Sequence, residues 1–300
     1  MSLQWPGRSR SLAWSNPLAW WWSVLALVSG ANITVWFLLY RYLEQPRIVS
    51  PARPSDIELM LFLSAAYVFG CAFRSFLPRA DVQRICLFDT WLSSVTVGRS
   101  VATVAEICFV AQWAIILHQL GTMTGADTAL NAAWVILPLI LIAECFSWHA
   151  VLTRNYLGNA IENSIWAASF FIIGIGLCRL LPEFDGRVGV VLVLAIIGIA
   201  GYLLFMATID VPMYLTRWQA KNADKNANKN ADKNANKSAD RIRLLSHLEG
   251  LRDATVRWVV THDIAEWKDE IPWMSLYFSA AVWASLALCV CYAFAGDLTH

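Results

Sequence analysis

Of the 300 residues, 58% are hydrophobic and 15% are charged, whereas a soluble domain carries about 25% charged residues. That deficit excludes an ordinary water-soluble fold, and a formal net charge of +1 with dispersed basic residues gives nucleic acid no electrostatic footprint. The 7 cysteines sit mostly singly in apolar runs and form no CxxC pair, so they read as small buried hydrophobes rather than zinc or redox ligands.

In chain order, the first apolar run lies at about 20 to 40. It opens on Trp20, Trp21 and Trp22, and further spans follow it, which argues against a cleaved signal peptide. Further runs at about 57 to 77, 98 to 120, 132 to 153, 159 to 179, 188 to 212 and 273 to 295 each approach the ~20 residues that cross a hydrocarbon core. The predicted fold is therefore all-α, a polytopic bundle of seven transmembrane helices. The fifth run is the least apolar, with Asn159, Glu162 and Asn163 in its first turns.

Lys and Arg placement sets the orientation. With the N-terminus inside, the cytoplasmic side receives Arg8, Arg10, Arg74, Arg79, Arg84, Arg154 and the basic loop after the sixth run. The outer side receives Arg41, Arg47, Arg53 and the Lys- and Arg-free stretch 121–131. The expectation is N-inside and C-outside, in a bacterial inner membrane or a eukaryotic endomembrane or plasma membrane.

Between the second and third runs, Ile85, Phe88, Trp91 and Leu92 fall near one helical face, which predicts an interfacial helix or an extension of the third span. Residues 1–212 form the first six helices, 213–272 a cytoplasmic loop, and 273–300 the last helix and tail. Within the loop, 221–240 is a Lys-Asn-Ala-rich repeat, expected to be a solvated linker whose Asn content disfavours helix. Leu244, Leu248, Leu251 and Val259 then have amphipathic spacing, suited to lying under the bilayer or covering the mouth of the bundle.

Glu106 and Glu144 are the costly residues. A charge at membrane depth is unfavourable by at least a few kcal/mol and is normally turned to the protein interior. A rise of ~1.5 Å per residue puts Glu106 about 10 Å and Glu144 about 12 Å from the same membrane face. Arg99, Thr103 and Glu106 share one helical stripe, and Asn159, Glu162 and Asn163 share another. The short link 153–158 makes the fourth and fifth spans antiparallel neighbours. His149, Asp210 and Arg74 fall in the same half, although His149 lies about 140° around its helix from Glu144.

The absence of a lysine from every predicted span excludes a retinal Schiff base, and His118 and His149 lie at opposite ends, which excludes a bis-histidine haem. Walker, HExxH and GxSxG patterns are absent. What remains is an amphiphile-modifying hydrolase or transferase without metal or cofactor. Its acid/base groups are Glu106, Glu144 and Glu162, and Arg74, Arg99, Asn159, Asn163, His149 and Asp210 contact a membrane-lipid substrate. A proton-coupled or ion transporter or channel is the alternative. A third class is a non-catalytic scaffold or receptor recruiting a cytosolic protein through 213–272.

Overall fold

The computed structural model describes residues 12–44, 54–231 and 246–295. Helix α1 (Pro17–Leu43) starts where the Asn16 side chain accepts from Leu18 N at 2.9 Å, with Pro17 at the first helical position, where its missing N–H costs nothing. It is followed by α2 (Pro54–Phe76). Residues 79–94, expected as an interfacial helix or an extension of the next span, instead hold two short strands and a 3-10 turn, Trp91–Ser93. Strand β1 (Arg79–Ala80) pairs antiparallel with β2 (Ile85–Cys86), across a turn in which Arg84 adopts φ 61°. The third span begins only at Val95.

Four long helices follow: α3 (Val95–Thr124), α4 (Asp127–Thr153), α5 (Tyr156–Leu180) and α6 (Gly186–Phe205). Gly125, in the left-handed conformation at φ 68°, ends α3, a conformation only glycine adopts without cost. A π-helical turn, Met206–Asp210, joins α6 to α7 (Val211–Ala231). Helix therefore runs through 221–231, the first half of the repeat expected to be a non-helical linker; residues 232–240 lie outside the described residues. Next come α8 (His247–Val256), β3 (Val259–Val260), α9 (Ile264–Trp267) and α10 (Ile271–Leu276). A second π-helical turn, Tyr277–Ala281, leads into α11 (Val282–Ala295).

Among the described residues, seven helical stretches are long and apolar enough to cross a membrane: Pro17–Leu43, Asp56–Phe76, Val95–Thr124, Asp127–Thr153, Tyr156–Glu183, Gly186–Ala223 and Ile271–Ala293. The chain is a multi-pass helical membrane protein. Neighbours in sequence pack side by side from α1 to α5, α6 and α7 lie on α5, and α11 closes against α1, α2 and α3. Many large apolar residues on the outward faces are exposed, among them Leu27, Trp134 and Leu194, as a lipid-facing surface requires. Between α2 and α3 the interior is aromatic, Tyr67 stacking on Phe109 at 4.5 Å.

One end of the bundle carries a cap. Strand β3 adds parallel to β2, giving the order β1-β2-β3 and tying 79–86 to 259–260. Helix α8 opens with a capping box between Ser246 and Glu249 and lies across α4 and α3. Its packing face is small, Gly250 and Ala254, while Leu248 is 83% exposed and Leu251 is also exposed. A Cβ on Gly250 would fall on the Leu152 carbonyl of α4, so glycine is what permits this backbone approach. Of the amphipathic helix expected through Leu244, Leu248, Leu251 and Val259, the structure forms α8 over His247–Val256, places Val259 in β3 instead, and leaves Leu244 outside the described residues. The leucines of α8 face away from the bundle, because the contact is made backbone to backbone.

Candidate functional site

Beneath the cap, α3, α4 and α5 each contribute a buried glutamate. Glu106, Glu144 and Glu162 offer carboxylate oxygens within 4.8 Å of one another. Arg99 lies among them: its Nη2 is 2.9 Å from Glu106 Oε2, 2.7 Å from Glu144 Oε2 and 3.8 Å from Glu162 Oε1. The guanidinium thus occupies the position a metal ion would take between these carboxylates. Arg99 and Glu106 sit seven residues apart on α3, two helical turns, which places both on the face turned to α4 and α5.

The surrounding shell holds each carboxylate in place. Thr103 Oγ1, one turn from Arg99, donates to Glu144 Oε2 at 2.5 Å, and Trp148 Nε1 donates to Thr103 Oγ1 at 3.1 Å. Asn159 Nδ2 donates to Glu162 Oε2 at 3.2 Å. Asn163 donates to Asp210, which the π-helical turn carries inward to 1% exposure. Such turns are frequent at functional sites. A cavity of about 10 Å³ on the other side of Glu106 is bounded by Arg74, Tyr277 and Phe278, space for about one water-sized group.

Arg74 belongs to a second cluster in the cap. Its Nη2 is 3.5 Å from Asp81 Oδ2, and Arg79 Nε is 3.0 Å from Asp81 Oδ1. Burial raises the Asp81 carboxyl, but the guanidiniums of Arg74, Arg79 and Arg99 outweigh it and leave the pKa below the ordinary carboxylate value. Burial pulls Arg79 down to about 10. Arg79 also donates to the Ser94 carbonyl at the start of α3, and its guanidinium fills the place a side chain on Gly98 would take. Arg84 completes the cap, bonding Asp253 of α8 at 3.1 Å and the Val151 carbonyl at 2.9 Å.

The cluster meets the outside through a groove of about 480 Å³ between α3 and α4. Thr103, Ile107, Leu141, Glu144, Trp148 and His149 line it together with His247 of α8. Glu144 and His149, about 140° apart on α4, form the two edges of that wall around the Leu141, Cys145 and Leu152 stripe. Hence His149 shares a groove with Glu144 while bonding elsewhere, its Nδ1 lying 3.0 Å from His247 Nε2.

The geometry unites Arg99, Glu106, Glu144, Glu162 and Asn159 in one cluster, with Asn163 and Asp210 adjoining it. His149 lies at the groove edge, and Arg74 pairs with Asp81 across the small cavity from Glu106. Thr103 was visible as part of the Arg99 stripe. Asp81, Tyr277 and His247 carried no periodic signal, because loop and cap folding brings them in. No known family model, curated protein or solved structure matches the chain.

Proposed function

We propose that this protein is an enzyme acting on a membrane amphiphile by carboxylate acid/base chemistry, with Glu106, Glu144 and Glu162 as the proton-handling groups. The observation that carries this reading is the groove. It lies between α3 and α4 beside the exposed Leu141 and Cys145, and its wall presents Glu144 and Thr103 backed by the rest of the cluster. A substrate sliding in from the leaflet meets a carboxylate without crossing the protein. In a hydrolysis or transfer step, one carboxylate takes the proton of the attacking hydroxyl or water. A protonated neighbour gives its proton to the leaving oxygen.

By the positive-inside bias we place the cap end at the cytoplasmic face. Arg99 serves in this reading as the positioning group for the glutamates, since its Nη2 is shared among all three. Beyond the cluster the core is closed by Val110, Ile136, Ile140 and Ile173, all fully buried. Gln112 at that level is tied to the Ser285 hydroxyl at 2.6 Å. These features weigh against a transport pathway.

The test is turnover by purified protein of a panel of amphiphiles, comparing wild type with Glu106→Gln and Glu144→Gln. The proposal predicts a loss of two orders of magnitude or more with folding retained. Full turnover in both variants removes the assignment, and proton or solute flux in sealed vesicles, lost in the same variants, would establish transport instead.

A further inference from the structure

We propose that the α3–α4 groove binds a cationic amphiphile, its ammonium headgroup against Glu144 and its chain along Ile107, Leu141 and Leu152 toward the bilayer. The inference rests on the groove being where the amphiphile is handled and adds the sign of its headgroup. Charge is the first argument. With one of the three carboxylates protonated, as the acid/base reading requires, the other two and the single guanidinium still leave a formal −1 in a buried cluster, and a low-dielectric site disfavours uncompensated charge.

The groove's own residues are the second argument. They include one carboxylate, the Thr103 hydroxyl, the Trp148 indole and two imidazoles, with no lysine or arginine. An indole face beside a carboxylate suits an ammonium group, whereas a phosphate needs the guanidinium or amine donors that this lining lacks. The nearby guanidiniums are engaged by carboxylates: Arg99 by the glutamates, Arg74 and Arg79 by Asp81, and Arg84 by Asp253.

The experiment is equilibrium binding of radiolabelled dodecylamine to the full chain in dodecyl maltoside micelles, with unlabelled competitors. We expect saturable binding of one amine per protein. Dodecanol, dodecyl phosphate and the chainless butylamine should compete at least tenfold more weakly than dodecylamine. Glu144→Gln should lower affinity at least tenfold, and Trp148→Leu, which keeps every carboxylate, should lower it several-fold.

Equal or better competition by dodecyl phosphate, wild-type affinity in Glu144→Gln, or no saturable amine binding would overturn the inference. Butylamine competing as well as dodecylamine would overturn the amphiphile part and assign the site to a soluble amine. Binding is read without turnover. Lost turnover in the glutamine variants together with absent amine binding would therefore remove this inference and leave the acid/base reading standing.

Discussion

Replacing Arg99 by methionine keeps an unbranched stem as far as about the Nε position and removes the guanidinium, leaving three buried carboxylates without their cation. Removing one member of a buried ion pair costs about 3–5 kcal/mol. Arg99 contacts Glu144 at 2.7 Å and Glu106 at 2.9 Å, with Glu162 at 3.8 Å, so the loss should fall at the upper end. At roughly 2 °C per kcal/mol, the melting midpoint should drop by about 10 °C. The double variant Arg99→Met/Glu144→Gln should melt above Arg99→Met alone, by about 1–3 kcal/mol of coupling, because the second change removes one of the stranded charges. Arg99→Lys, which keeps the charge but loses the planar fork, should lie between wild type and methionine. The assay is thermal unfolding followed by intrinsic fluorescence in detergent micelles. A midpoint for Arg99→Met within about 2 °C of wild type, or purely additive losses in the double variant, would refute the idea that one guanidinium holds the three carboxylates together.

Other perturbations test the cap and the groove. The depressed pKa of Asp81 means that it contributes stability above its unfolded value near 4, lost as pH falls through the folded value. Asp81→Asn should lower the melting midpoint at neutral pH and flatten its dependence below about pH 4. An unchanged acid profile would count against the Arg74–Asp81–Arg79 cluster. Gly250→Ala sets a Cβ against the Leu152 backbone, an overpacking cost of about 1–3 kcal/mol. Limited proteolysis within 246–258 should accelerate roughly tenfold or more, and an unchanged rate would contradict the docking of α8 on α4. Cys145→Trp projects bulk into the groove from its wall and should cut turnover at least tenfold with little change in melting midpoint. Normal turnover would show that substrate arrives by another route.

The seven spans were legible because a membrane helix is written in composition over about 20 residues, a long-range average that needs no knowledge of neighbours. The carboxylate cluster was legible for a related reason. Depth follows from residue count along a helix, so Glu106 and Glu144 could be matched before any packing was known, and the Arg99–Glu106 stripe followed from the helical period. The cap was hidden. Phe88, Trp91 and Leu92 satisfy a helical period, but 79–86 pairs as strands with 259–260, a contact set by a distant segment. Of the spaced residues only Leu248 and Leu251 fall in α8, Val259 being in β3, and the helix's packing face was hidden because Gly250 and Ala254 carry no hydrophobic signal. The helix through Ala231 overrode the weak propensity of its asparagines by continuing an already formed span.

The central claim is that an amphiphile from the surrounding leaflet is converted at the Glu144 side of the α3–α4 groove. Its most direct test is mass spectrometry of lipids from membranes expressing wild type, Glu144→Gln or no protein, at matched expression. The account predicts one amphiphile class depleted and its product raised only with wild type, with the unconverted amphiphile co-purifying with Glu144→Gln. The same product level in Glu144→Gln membranes as in wild-type membranes would contradict it.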